Sequence, residues 1–298
     1  AFQQTPHSVV WIVRDDGILL GLTYVREHQL WAWHRHDFDD GDSTVENVCV
    51  IPEGNEDAVY VVVKRTVNGA TKRYIERINT RFVDDVRDSI FLDSALTYDG
   101  RNAGARTMTL SGGTTWVYTE TLTLTSSTSF FTAADVGNSI FIYTAGGEVV
   151  RCEITAYTSA TVVSIKPHKT VPASLRSAAT LLWSRAVDEL SGLWHIEGKQ
   201  VSVFADGFVV ASPKNESYDA ITVTNGAITL DKPYAVIHVG LPITSDIETL
   251  DIDTPQGETV ADKKKLITAV SVFVDKTRGL WVGPKPPTDD DTDPLENL

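Results

Sequence analysis

The sequence predicts a mainly β chain, an antiparallel array of the propeller-blade, sandwich or barrel kind. Three observations carry that expectation. Six short segments rich in Val, Ile, Trp and Tyr follow one another at near-regular spacing between Val9 and Arg77. The residues that tight turns demand, Asp15-Asp16-Gly17, Asp40-Gly41, Pro52-Glu53-Gly54-Asn55 and Asn68-Gly69, lie between them. A second run of alternating segments, residues 107–186, has the length and pattern of a small self-contained β-barrel inserted in the larger chain.

The first strands are expected over residues 9–13, 18–24, 30–36, 45–51 and 58–65, with a sixth over 72–77. In the third of these, alternation puts Trp31, Trp33 and Arg35 on one face and Ala32, His34 and His36 on the other. Two tryptophans on one face predict that this face packs into a core. Residues 83–91 read as a helical turn or loop and 92–100 as a connector. The small, polar, Gly-containing stretch 102–106 suits a domain boundary.

From Met108 to about Arg185 the texture changes. Strict alternation over 121–125, a turn over 130–137 and strands over 139–143, 149–154 and 161–165 follow in order. Gly146-Gly147 marks a hairpin between two of them. A helical turn over 174–179 precedes a strand over 180–184. Strands then resume over 201–205, 208–211, 220–223, 227–230 and 235–239, with Asp206-Gly207 and Asn225-Gly226 as turns that require positive φ.

Residues 263–275 satisfy two patterns. Leu266, Val270 and Phe273 align on a helix, with Thr259 and Asp262 placed as in a capping box. Residues 270–274 also alternate and are β-branched, so a strand is the preferred reading. Residues 284–294 are Pro-rich and acidic, with nothing to bury, and are expected to stay mobile until a partner orders them. The domains are accordingly placed at 1–106 (β domain, first part), 107–186 (inserted small barrel), 187–283 (β domain, second part) and 284–298 (acidic, Pro-rich flexible tail).

A chain of 298 residues is long enough to bury a sizeable core in two or three domains. Hydrophobic residues at 42% and charged residues at 22% place it among ordinary soluble globular chains. No run approaches the ~18 apolar residues that a membrane helix needs. The first seven residues lack the basic start and apolar stretch of a signal peptide. A start without Met that opens almost directly into a strand suggests a fragment or a processed piece. The net charge of −14 argues against a large phosphate-binding surface. It fits solubility, or a surface that nucleic acid passes without sticking. Cys49 and Cys152 both fall in alternating strand patterns and are expected to be buried reduced thiols, not a disulfide.

Candidate chemistry is sparse. His34, His36 and Asp37 are a candidate for half of a metal site, since residues two apart on a strand, such as the two histidines, share a face. No third ligand has a convincing spacing, and a polar strand edge is the preferred reading. The acidic pairs Asp15-Asp16, Asp39-Asp40 and Asp84-Asp85 and the run Asp289-Asp290-Asp291 lie in turns or tails, where solvated charge is the default. Asp39 to Ser43 offers oxygen ligands for Ca²⁺ but lacks the loop pattern and the distal Glu, so it reads as a turn. There is no Gly-x-Ser-x-Gly elbow. No catalytic, cofactor-binding or metal-binding residue is assigned, and the chain is read as a non-enzyme.

Several stretches together resemble one family. Gly21-Leu22-Thr23-Tyr24 and Trp31-Ala32-Trp33-His34-Arg35-His36, within residues 10–35, are similar to propeller strands of tail proteins from short-tailed bacteriophages. So are the stretch from Ser43 to Pro52 running into residues 59–65, Tyr74 to Arg77, residues 192–207 and the segment His238-Val239-Gly240-Leu241-Pro242. The middle segment, from Thr121 through Asp135-Val136-Gly137 to Trp183-Ser184, is similar to the small β-barrel named after the catalytic-cysteine half-domain of ubiquitin-activating enzymes.

The resemblance covers most of residues 8–283. It implies a propeller-like antiparallel β body with an inserted small β-barrel, belonging to a tail nozzle or tail tubular protein. It implies a homo-oligomeric ring, a hexamer in that family, below the portal and its adaptor, through which the genome leaves without specific DNA binding. It also implies a location in the virion tail after assembly in the host cytoplasm. Members of that family continue past the acidic segment into more strands, so the resemblance implies a partial chain. The alternative is a tail-associated module that recognises a receptor or carbohydrate. Burial of Trp31, Trp33, Trp116 and Trp194 would favour the first reading, and a surface platform of these rings the second.

Overall fold

The computed structural model describes residues 1–80, 83–214, 217–249, 269–274, 280–283 and 296–297. Among them the chain runs as antiparallel strands joined by tight turns and single 3-10 turns, with no α-helix. It is mainly β. Two compact units, Ala1–Ile243 and Thr244–Leu298, divide it.

Strands β1 (Phe2–Gln3), β2 (Val9–Val13), β3 (Leu19–Val25) and β4 (Leu30–His36) form a four-stranded sheet in that order. Strands β5 (Thr44–Glu53), β6 (Glu56–Val67) and β7 (Ala70–Arg77) form a three-stranded meander. The two sheets share one core, in which Val9, Trp11 and Leu19 meet Val45, Val59, Val61 and Val63. Burying side chains of this size is worth roughly 1.5–3 kcal/mol each. That holds each strand's register, since a one-residue slip would turn every one of them to water. Asn68 and Gly69, at φ 50° and 72°, make the tight turn between β6 and β7.

The stretch read as a connector over 92–100 is a strand instead, β8 (Asp93–Asp99). Its Asp, Ser and Ala have poor strand propensity, and a partner from the far end of the unit makes it a strand. β8 pairs with β20 (Val236–Leu241), Asp99 opposite Val236 and Asp93 opposite Leu241. Between β8 and β20 the chain leaves and returns. β9 (Met108–Ser111), β10 (Leu122–Ser126), β11 (Ser139–Tyr143), β12 (Val149–Ser159), β13 (Val162–Pro167), β14 (Ala179–Thr180) and β15 (Trp183–Ser191) follow. Next come β16 (Gln200–Ala205), β17 (Phe208–Ala211), β18 (Ile221–Thr222) and β19 (Ala227–Tyr234).

An eight-stranded sheet runs in the order β14-β9-β10-β13-β12-β11-β15-β19. Its inner residues, among them Leu110, Leu124, Ile140, Ile154, Ile165 and Trp183, form a single core, so the sheet curls around them. It stays open: β14 is two residues long and pairs only with β9, so no ladder joins it to β15. β15 uses its first half to pair with β11 and its second with β19, which carries the chain into the next layer. There β17-β16-β20-β8 make a sheet, with β18 on β16. Val201, Val203, Ile237 and Val239 pack against Ile228 and Leu230 of β19, with Leu96 and Tyr98 of β8 beside them.

Charge ties the first sandwich to the rest of this unit. Arg65 on β6, only 2% exposed, bonds Glu76 on β7 and Asp93 on β8 at 2.7 and 2.6 Å. Burial alone would lower the Arg65 pKa, but the hydrogen bonds and charges of these two carboxylates outweigh it and raise it. Asp93 also accepts the Asp39 backbone N–H at 2.9 Å, and Lys199 reaches Asp39 at 3.0 Å. An arginine so enclosed holds its place only because both carboxylates are present.

In the second unit, β21 (Trp281–Val282) pairs with β22 (Glu296–Asn297). Residues 269–274 carry no strand, contrary to the alternation of 270–274, and Phe273 is almost fully exposed. Apolar alternation makes a strand only where a neighbour supplies the ladder. The remainder of the ambiguous 263–275 stretch, and of the acidic segment 284–298 apart from β22, lies outside the described residues.

Candidate interaction surface

The register of the first sheet separates its two faces residue by residue. Val9, Trp11 and Leu19 point inward to the sandwich core. On the outer face Phe2 stands opposite Val10, Val10 opposite Leu22, and Leu22 opposite Trp33. A second row joins Ile12, Leu20 and Arg35, and a third joins Tyr24 and Trp31, whose ring centroids are 6.0 Å apart. The outer face therefore carries eight apolar or aromatic side chains and one arginine across four strands. Trp31 and Trp33 are each 61% exposed, and Phe2 and Ile12 are exposed with them. Exposed apolar side chains gathered on one face mark interaction sites on soluble proteins.

This overturns the expectation that Trp31 and Trp33 pack into the core. The alternation is as read, but the faces are reversed. Trp11 of β2 already fills the inner face, opposite Gly21, and His34 occupies the space that Gly21 leaves. A Cβ at Gly21 would lie 2.1 Å from the His34 ring. His34 and His36 pack on Trp11 with centroids at 5.7 and 5.2 Å, so β4 turns its histidines inward and its tryptophans outward. Trp194 is also exposed, its indole lying over Gly226, where a Cβ would come within 2.4 Å. Trp116 is half-buried against the core of the eight-stranded sheet. Cys152 is buried in that core, but Cys49 is exposed on β5, contrary to the expectation of two buried thiols.

Several of the other sequence candidates are engaged within the chain. His34 Nδ1 lies 2.6 Å from His36 Nε2, and Asp37 pairs with Arg35 at 2.9 Å. Among the described residues no group of three His, Cys, Asp or Glu side chains is placed to hold a metal ion. Asp39 takes Lys199 and Asp40 takes Lys214, so lysines neutralise the acidic turn considered for Ca²⁺. Asp16 is held by Arg14, whose hydrogen bond pulls the carboxyl pKa down to about 2. Asp85 accepts the Arg87 backbone N–H at 2.9 Å and caps the 3-10 turn Val86–Asp88. The run Asp289-Asp290-Asp291 lies outside the described residues.

Two hydroxyl–imidazole pairs were invisible in the sequence because their members are cross-strand neighbours. Thr23 Oγ1 meets His34 Nε2 at 3.1 Å, and Thr97 Oγ1 meets His238 Nδ1 at 2.8 Å. The second nitrogen of His238, which is 2% exposed, meets the Arg87 carbonyl at 2.6 Å, so that carbonyl fixes the tautomer. A cleft of about 770 Å³ is lined by Phe141, Arg151, Asp206, Phe208 and Tyr234 among others. Asp206 caps the Ala235 and Val236 amides, and the Tyr234 hydroxyl donates to Asp231. Those groups hold the walls of the cleft together.

No protein-family model matches the chain, and no curated protein matches it in sequence.

Proposed function

We propose that this chain is a structural subunit of a bacteriophage tail, of the nozzle or tail tubular class, forming part of the conduit for genome ejection. Burial of Trp31, Trp33, Trp116 and Trp194, the feature expected of such a subunit, is absent at three of the four, and the reading rests instead on the apolar make-up of the outer face of the first sheet. A face with Phe2, Ile12, Trp31 and Trp33 open to water is unfavourable in a lone copy and favourable once another surface covers it. The antiparallel β body suits such a subunit, and the net charge of −14 suits a conduit, because each basic contact to phosphate would retard the exiting DNA. In this reading the first sandwich is part of a propeller-like body, and the open, curled sheet of β9 to β15 takes the place of the small barrel expected between β8 and β20. The ring is a homo-oligomer of about six copies by resemblance, docked on the tail adaptor in the virion. It does no covalent chemistry.

A second reading is a tail-associated module that recognises a receptor or glycan, and the exposure of Trp31, Trp33 and Trp194 favours it. Glycan platforms pair aromatic rings with side chains that bond sugar hydroxyls. The outer face here offers only Arg35 and the Tyr24 hydroxyl among its apolar side chains, which suits a dry protein contact better. Tryptophan fluorescence separates the two. A subunit shows emission shifting to the blue as protein concentration rises and self-association covers the rings. A recognition module shows no concentration dependence, and its emission responds to added host-surface glycan instead.

A further inference from the structure

Among the described residues three long strands of the first sandwich, β4, β5 and β7, have an unpaired outer edge, and those of β4 and β7 lie on its opposite sides. In it β1 lies over β6 and β2 over β5. Strands β3 and β4 therefore extend past β5 on one side, and β7 lies beyond β6 on the other. Among the described residues no strand pairs with the outer edge of β4 or of β7. Both ladders are regular, with seven consecutive pairs joining β4 to β3 and eight joining β7 to β6. Soluble proteins usually blunt an open edge with Pro, a bulge or inward charge. Neither strand has Pro or a bulge and β4 carries no Lys or Glu, whereas β7 carries Lys72 and the inward Glu76 that pairs with Arg65.

The two edges differ in chemistry. β4 presents exposed Leu30, Trp31, Ala32 and Trp33. β7 presents Lys72, Arg73 and Arg77 around Ile75, which is 78% exposed. Arg73 and Arg77 are held by the surface carboxylates Glu46, Glu53 and Glu56, pairs that water screens and that yield readily to a better partner. A guanidinium placed over an indole face is such a partner. Two β7 edges would oppose like charges, whereas β4 against β7 sets cations against aromatic rings.

We propose that copies of this chain join head to tail, the outer edge of β4 in one copy pairing with the outer edge of β7 in the next. The proposal rests on the assembly reading above and gives it an interface. Because the edges lie on opposite sides, every copy offers one of each. Such a heterologous contact repeats from copy to copy and closes into a ring when the rotation per step allows.

The test uses two variants of the full chain, Trp33→Glu on β4 and the double change Lys72→Glu with Arg73→Glu on β7. All three positions are exposed, and circular dichroism with thermal unfolding verifies the fold; Trp31→Glu replaces Trp33→Glu if that variant does not fold. In sedimentation velocity each variant alone is expected to self-associate at least about tenfold more weakly than the wild type, a loss of about 1.4 kcal/mol. An equimolar mixture is expected to form a dimer and stop there, because each copy keeps one working edge. A wild type that assembles while the β7 variant assembles equally well overturns the head-to-tail contact and leaves assembly standing. A mixture that does not dimerise also overturns it, because the intact β4 edge of one variant and the intact β7 edge of the other must still pair. A wild type that stays monomeric at every concentration overturns both the contact and the assembly reading.

Discussion

Cys152 lies in the core of the eight-stranded sheet, where burial pushes its thiol up to about 12, while Cys49 lies exposed on β5. A thiol reagent at pH 8 is expected to modify one equivalent in the native protein and the second only after unfolding, since the thiolate is the reacting species. Two fast equivalents would show that the core around Cys152 opens freely. The sequence could not separate the two, because alternation gives a strand two faces without saying which is inside. The same limit reversed Trp31 and Trp33, where the deciding facts were Trp11 on a neighbouring strand and the gap left by Gly21. The carboxylates of Asp85 and Asp99 are held below their ordinary range, chiefly by hydrogen bonds from Arg87 and Arg101 respectively. With a folded pKa depressed below an unfolded value of about 3.9, each contributes stability that is present above that pH and is lost as pH falls through the folded pKa. Asp99→Asn should therefore lower the melting temperature by a constant amount above about pH 5, and by less as pH falls below about 4. A difference that does not change with pH would show that the pair adds nothing through its charge.

Among the elements, the strands with strong local signals were legible. β4 and β11 have the limits that their Val, Ile, Trp and Tyr content and flanking turns indicated. β8 was not, because Asp93, Ser94 and Ala95 favour no strand and the pairing partner β20 lies more than a hundred residues on. Gly100, just past β8, was equally silent. Its N–H donates to the Ala235 carbonyl and its carbonyl accepts from the Arg185 N–H, both at 2.8 Å. A Cβ there would lie 1.9 Å from the Arg185 carbonyl oxygen and 3.0 Å from that of Ala235. These are backbone atoms in paired strands and cannot swing aside. Gly100→Ala should cost about 1–3 kcal/mol or more in denaturant unfolding, as overpacking at a rigid contact does. A cost below about 0.5 kcal/mol, the range of ordinary surface changes, would mean that β8, β15 and β20 are not clamped there.

At the scale of the whole molecule, the first sandwich and the layers around the curled sheet are joined by the Arg65–Asp93 pair and by Lys199 on Asp39. Nothing in the sequence flagged those contacts, because their members lie far apart along the chain and only the fold brings them together. The candidate surface was half legible: the residues of β4 were singled out and their exposure was not. Among the described residues of this unit, one apolar sheet face stays open to water, flanked by an unpaired strand edge on a chain of strongly negative charge, alongside other exposed apolar side chains such as Leu181, Leu182 and Phe208. Each like-charged copy repels the next, so a contact between copies must outweigh that repulsion, and apolar area with indole rings is suited to do so. The most direct measurement is the mass of the purified chain in solution by light scattering, with negative-stain images of the same sample. On the proposed conduit reading, the account predicts a closed ring of about six copies with an axial hole. A monomer at every concentration tested, with Trp31 and Trp33 still open to quenchers, would contradict it.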